Sequence, residues 1–162
     1  MRLVIYIGLI LGLHSCFSYS FIDGSIDAES FSVSIFEEQA ANAPAGYGGQ
    51  FTDYLKNFII GRSKLKLKDI DADIQISGKI VGYNTAPLAV QSDEAAALSR
   101  LTVTMFVSVV NNVKPEQSFE QNFSQFSDFD SNNDLSTVET QLIEDVNNKI
   151  AQDIVNKLSS NW

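Results

Sequence analysis

Two clusters of side chains in this chain have the composition that binding chemistry needs. Asp128, Asp130, Asn132, Asp134 and Glu139 place oxygens at positions 1, 3, 5, 7 and 12 of one short segment. That is the spacing with which an EF-hand loop surrounds calcium, a hard cation that takes about six to eight oxygen ligands. Position 6 holds Asn133 where such a loop has Gly, and Asn enters left-handed angles less freely. The segment reads equally as a polar strand-to-helix turn, its acidic groups favoured by a helix N-terminus. The second cluster is basic: Arg62, Lys64, Lys66 and Lys68 stand within seven positions, with Lys79 expected on the neighbouring strand and Arg100 as a further candidate. Such a concentration suits a phosphate or carboxylate group. It also suits a solvated strand face, or lysines that guard a sheet edge from pairing.

The surrounding composition limits what either cluster can serve. The 162 residues carry 11 Lys and Arg against 20 Asp and Glu, a formal charge of −9. Binding to a nucleic-acid backbone requires a cationic surplus that displaces counterions, so no nucleic-acid partner is expected. With 44% hydrophobic and only 19% charged residues, the chain has enough apolar material for one packed domain.

The N-terminus removes further chemistry. Met1-Arg2 precedes an apolar run from Leu3 to Leu13, and Leu13-His14-Ser15-Cys16 follows at once. A run that short reads as a secretory signal and not as a membrane span. A Leu three residues before a Cys, with a small residue between, matches a lipobox, where the thiol is acylated and the chain is cut to leave Cys16 first. We therefore expect residues 1–15 as signal peptide, residues 16–162 as a single domain, and Cys16 as the lipid attachment point. That cut takes away His14, the only His, and acylation consumes the only Cys. Triad, His-zinc and thiol chemistry then lack their parts. A carboxylate pair of the glycosidase kind remains conceivable, but no aromatic sugar platform accompanies it, and we expect neither an enzyme nor a cofactor.

These clusters must be positioned by secondary structure, and the periodicity indicates which. Phe31 to Phe36 alternates apolar and small residues with the period of a half-buried strand. Glu37 to Gly49 reads as a loop. Phe51, Tyr54, Leu55, Phe58 and Ile59 then form a helical stripe, with Gly61 placed to end it. Leu65 and Leu67 alternate with Lys64, Lys66 and Lys68, so a short strand would turn two leucines inward and three ammonium groups outward. A strand from Asp73 to Tyr83 follows, in which Gly78 and Gly82 mark a bulge or a close backbone approach, and Asn84 to Pro87 is expected to break it. Leu101 to Val110 is the longest alternation, with Leu101, Val103, Met105, Val107 and Val109 on one side. The segment holding Phe119, Phe123, Phe126 and Phe129 has an ambiguous period and is read as a strand with a bulge.

Finally, Val138, Leu142, Val146, Ile150, Ile154 and Leu158 recur every four residues, and Ser136 with Glu139 spells a capping box. The expected architecture is α+β: a two-layer α/β sandwich with a mostly antiparallel sheet of four to five strands covered by two helices. Tyr19, Phe21, Phe36, Tyr47, Tyr83, Phe126 and Phe129 are aromatics near loops that could anchor a protein interface, although each alone fits a core.

The segments Cys16-Phe-Ser-Tyr-Ser-Phe-Ile, Phe51-Thr-Asp-Tyr-Leu and Gly78-Lys-Ile-Val-Gly-Tyr-Asn-Thr-Ala-Pro-Leu-Ala-Val resemble the LptE family of lipopolysaccharide-assembly lipoproteins in its flavobacterial form. The closing segment agrees, with Phe123-Ser-Gln-Phe-Ser-Asp-Phe-Asp-Ser, Asp134-Leu-Ser-Thr-Val-Glu and a terminal helix ending at Trp162. The likeness covers essentially the whole chain after Cys16. It implies an α/β sandwich anchored in the outer membrane, facing the periplasm, that plugs the β-barrel LptD and helps deliver lipopolysaccharide to the outer leaflet. It also implies contact with lipopolysaccharide through basic residues, for which Arg62, Lys64, Lys66 and Lys68 are the candidates here, followed by Lys79 and Arg100. A second reading is a free periplasmic lipoprotein that binds an anionic ligand or calcium.

Overall fold

A computed structural model describes residues 26–88 and 97–160. Strand β1 (Ser30–Val33) turns Phe31 and Val33 inward, and a two-residue strand β2 (Glu37–Glu38) follows it. Helix α1 (Tyr47–Arg62) and strand β3 (Lys66–Leu67) come next, then the long strands β4 (Ile74–Pro87), β5 (Leu98–Asn111) and β6 (Phe119–Asp130). A single 3-10 turn (Pro115–Gln117) precedes β6, and helix α2 (Leu135–Ser159) ends the described chain. The sheet order is β3-β1-β4-β5-β6, with β2 also paired to β4. Both helices pack on one face, α1 near β1 to β3 and α2 along β6 and β5.

The α+β class and the two helices agree with the sequence reading, whereas the sheet is mixed and has six strands. β1 runs parallel to β3 and β4, and β2 runs parallel to β4, while β4, β5 and β6 are antiparallel. The cause is the helical crossover: a chain that leaves β1, passes through α1 and returns to the same sheet comes back in its original direction.

Several local expectations need correction. Asn84 to Pro87 continues β4, paired from Asn84 with Thr102 to Pro87 with Ser99. Beyond Ile80, β4 has a neighbour on one side only, so the missing N–H of Pro87 costs the sheet little. Gly61 lies inside α1, and the end is made by Ser63, whose N–H and hydroxyl both donate to the carbonyl of Ile59. Leu65 is buried but Leu67 is 44% exposed, so the alternating strand with two inward leucines does not form; β3 is only a two-residue margin. β6 is a strand, yet its register with β5 is unbroken from Leu98–Asp130 to Val109–Phe119. A bulge does fall in β4, where Gly82 indicated one: Ile80 faces Met105 and Gly82 already faces Thr104.

The core lies between the sheet and the helices. Tyr47, Phe51, Leu55 and Ile59 from α1 meet Leu142, Val146, Ile150 and Ile154 from α2, and the five inward apolar residues of β5 are each 2% exposed or less. Two glycines admit Phe36 to this core. A Cβ at Gly78 would stand 2.3 Å from the Phe36 ring, and one at Gly48 would stand 2.1 Å from its carbonyl oxygen. With that room, the Phe36 ring meets the Phe51 ring edge-on at 4.9 Å.

Candidate functional site

The basic cluster is positioned by the end of α1 and the sheet margin that follows it. Arg62 occupies the last turn of α1, where it stacks on Phe58 with its guanidinium 4.3 Å from the ring centroid and donates to Gln152 of α2. Lys64, Lys66 and Lys68 are exposed along the edge strand β3 and its flanks. Lys68 Nζ donates to the carbonyl of Asp71 at 2.9 Å. None of these four makes an ion pair within 4 Å among the described residues. The other two candidates lie apart from them and are already engaged. Lys79 faces Glu37 at 3.5 Å. Arg100, near the opposite end of the sheet, makes a two-pronged bond to Asp128 at 2.7 and 2.9 Å and stacks on Phe126 at 3.6 Å. The six cations therefore do not form one patch.

The acidic segment is dispersed rather than convergent. Asp128 belongs to β6 and is held by Arg100, whose hydrogen bonds keep its carboxyl below the usual range and push the guanidinium up. Asp130 accepts from the backbone and side chain of Asn132 and thereby shapes its own turn. Asp134 takes the N-cap position of α2 without a side-chain cap bond. The expected capping box is absent because the helix starts at Leu135, one residue before Ser136. Glu139 points elsewhere, accepting from the Tyr83 hydroxyl at 2.6 Å. Among the described residues, no group of three or more His, Cys, Asp or Glu is placed to hold a metal. The calcium spacing is thus a pattern in sequence that a strand end and a helix start pull apart.

At that end a buried polar bond ties the two helices together, and the Tyr83–Glu139 bond ties α2 to β4. Tyr47 Oη of α1 donates to Asn147 Oδ1 of α2 at 2.8 Å, and the Tyr47 and Tyr83 rings meet edge-on at 6.0 Å. Burial pushes both phenols well above their ordinary range, and the Glu139 carboxylate adds to the rise at Tyr83. Of the aromatics proposed as interface anchors, Phe36, Tyr47 and Tyr83 are therefore core. Phe129 is partly buried against that core, and Tyr19 and Phe21 lie outside the described residues, as does Cys16.

The sequence reading did not single out the helix-free face of the sheet. Thr102, Thr104, Phe106 and Ser108 of β5 are half-buried there without any helix above them. Val81, Val110 and Phe126 join them as exposed large apolar side chains. Hydroxyls bridge neighbouring strands across this face, Thr104 to Ser124 at 2.9 Å and Ser108 to Glu120 at 3.2 Å. This surface mixes hydroxyls and apolar groups with charges that are largely satisfied locally, Arg100 by Asp128 and Lys79 by Glu37, and a surface of that kind can lie against another protein. Its signal in sequence is the second set of alternating positions in β5, Thr102, Thr104, Phe106 and Ser108. No helix of the described residues is long and apolar enough to cross a membrane.

A family model described as LptE, lipopolysaccharide-assembly, matches residues 28–158. No curated protein matches the chain. Among solved structures, a protein of Xanthomonas campestris superposes with a TM-score of 0.60 at 11% identity, covering 82% of this chain and 85% of that one. A minor lipoprotein of Acinetobacter baumannii gives 0.54 at 14% identity, over 83% and 94%. A hypothetical protein of Chlamydia trachomatis gives 0.55 at 9%, over 82% and 96%. At these identities the likeness is one of fold.

Proposed function

The chain belongs to the LptE family of lipopolysaccharide-assembly proteins, and from that premise we propose that it is a non-enzymatic plug and assembly partner of an LptD-type outer-membrane β-barrel. In this reading residues 1–15 are a signal peptide. Cys16 carries the lipid that anchors residues 16–162 to the outer membrane, and the domain faces the periplasm. The observation that carries the proposal is the family match over residues 28–158, which takes in both helices and every strand of the sheet. The helix-free face supports it physically, because its half-buried Phe106 and exposed Val110 and Phe126 gain from being covered. We place the barrel wall against that face.

Lipopolysaccharide contact falls to Arg62, Lys64, Lys66 and Lys68, cations that no carboxylate of the described residues neutralises by direct pairing. Lys79 and Arg100 are weaker choices, since binding there would require breaking the pairs to Glu37 and Asp128. A photo-crosslinking amino acid at Ser124, in the exposed part of this face, tests the placement against one at Asn57, exposed on α1. Crosslinks to a barrel from position 124 and not from 57 are expected. Crosslinking from 57 alone would mean that the helical layer meets the partner.

A further inference from the structure

The end of the domain at which the described chain begins has an unusual surface. Ile26 enters there, and the entry is fixed at three points. Asp27 pairs with Lys114 in the turn between β5 and β6, while the N–H groups of Glu29 and Ser30 donate to the Asp73 carboxylate at 2.8 and 3.0 Å. Two tips project at this same end, the β3–β4 turn and the β5–β6 turn. Asn112 joins them, its N–H donating to Asp73 O at 2.8 Å and its amide to Ala72 O at 2.9 Å. Each tip presents an aliphatic side chain to solvent: Ile70 is 74% exposed and Val113 is 53% exposed, with Leu67 beside them on the sheet margin. The turn that carries Ile70 is held in shape at some cost, since Asp71 adopts a left-handed φ of 53° that a non-glycine residue seldom takes, and Lys68 fastens its carbonyl.

Single exposed aliphatics are ordinary. Two on tied tips, with Leu67 on the adjoining strand, call for an occupant at the chain-entry end, and the tether supplies it. Cys16 precedes Ile26 by ten residues, a reach of at most about 35 Å, so a lipid on Cys16 would keep this end close to the bilayer. We propose that the Ile70 and Val113 tips rest on the phospholipid surface, with both side chains dipped into the headgroup region beside the anchor. This rests on the lipid-anchor reading above and adds an orientation to it: the chain-entry end faces the bilayer and the end bearing the β6–α2 turn points away. The attraction is apolar, not ionic. Ile70 stands between Asp69 and Asp71, and Lys114 beside Val113 is paired with Asp27, so the two tips themselves offer the lipid aliphatic side chains and no free cation.

The test uses the full, lipidated protein carrying an environment-sensitive fluorophore on Ile70→Cys or, at the opposite end, on Asn132→Cys. Both positions are exposed, so neither substitution disturbs the core. The labelled proteins are mixed with phosphatidylethanolamine–phosphatidylglycerol vesicles containing nitroxide lipid and recovered by flotation. Quenching at position 70 roughly threefold or more above that at 132 is expected for a tip seated in the headgroup layer. Equal quenching in floated protein overturns the orientation and leaves the anchor standing. Failure to float removes the anchor and the orientation together. A label at 70 that is shielded from aqueous iodide but untouched by lipid nitroxide places the tip on protein and also overturns the proposal.

Discussion

The two faces of β5 differ sharply in what covers them. Leu101, Val103, Met105, Val107 and Val109 lie under the helices, each 2% exposed or less, whereas Thr102, Thr104, Phe106 and Ser108 on the reverse are half-buried with no helix of the described residues above them. Full burial of an aliphatic side chain contributes about 1.5–3 kcal/mol relative to leaving it exposed, so the helical face carries the stability of the fold. The reverse face contributes little to that stability and is free to serve a partner. One strand therefore divides its labour by residue parity, and substitutions on its two sides should fail in different assays.

The largest effects belong to the covered face. Leu55→Ala or Ile150→Ala, both at fully buried positions, should cost about 2–5 kcal/mol in urea unfolding, as the side chain leaves a cavity. A cost below about 1 kcal/mol would mean that the helices are loosely packed. Gly48→Ala should follow at about 1–3 kcal/mol, although alanine in a helix normally gains up to about 1 kcal/mol over glycine. The sign reverses because the new methyl would meet the Phe36 carbonyl oxygen. Tyr47→Phe leaves Asn147 Oδ1 without its 2.8 Å donor, a loss of about 1–3 kcal/mol.

The ionisable groups give smaller effects with a defined sign. Backbone N–H groups of Glu29 and Ser30 hold Asp73 below the ordinary carboxylate range, Arg100 does the same for Asp128, and Lys149 for Asp145. A carboxylate with a lowered folded-state value adds stability that is present above its unfolded value and is lost as pH falls through the folded one. Thermal stability should therefore fall below about pH 4 and stay flat from there to neutrality. Asp73→Asn should flatten the acid limb, and an unchanged limb would assign the acid loss to other carboxylates. Alkaline titration followed by tyrosine absorbance should find Tyr47 and Tyr83 silent until the protein unfolds, because burial raises both.

The smallest effect on stability is paired with the largest on partnership. Ser124→Arg, on the exposed part of the helix-free face, should change unfolding by less than about 0.5 kcal/mol. It should nevertheless abolish association with the barrel. Unaltered association would break the contrast between the faces.

What the sequence displayed depended on how much the local pattern had to compete with. The inward residues of β5 and the four-residue repeat from Leu142 to Ile154 were plain, because each element buries one continuous stripe and the period survives intact. β2 was not legible, since Glu37–Glu38 joins the sheet through backbone pairing with Lys79 and Ile80 and carries no apolar signature. The parallel pairing of β1 was hidden for a related reason: alternation fixes which side faces inward and says nothing of direction. Ser136 and Glu139 fitted a capping box, yet a buried Tyr83 hydroxyl offered Glu139 the better partner. Spacing likewise suggested calcium, and only three-dimensional placement could show Asp128 committed to Arg100. The basic run from Arg62 to Lys68 is contiguous in sequence and falls on the end of α1 and the β3 margin, whereas Lys79 and Arg100 are separated from it by strand pairing that charge counting cannot reveal.

The central claim is that this family member works as the bound partner of an outer-membrane barrel, and affinity purification tests it most directly. The tagged, lipidated protein would be recovered from detergent-solubilised envelopes and its companions identified by mass spectrometry. A large β-barrel in stoichiometric amount is expected. Recovery of the protein alone, with lipopolysaccharide binding through Lys64, Lys66 and Lys68 intact, would contradict the plug and favour a free periplasmic binding lipoprotein.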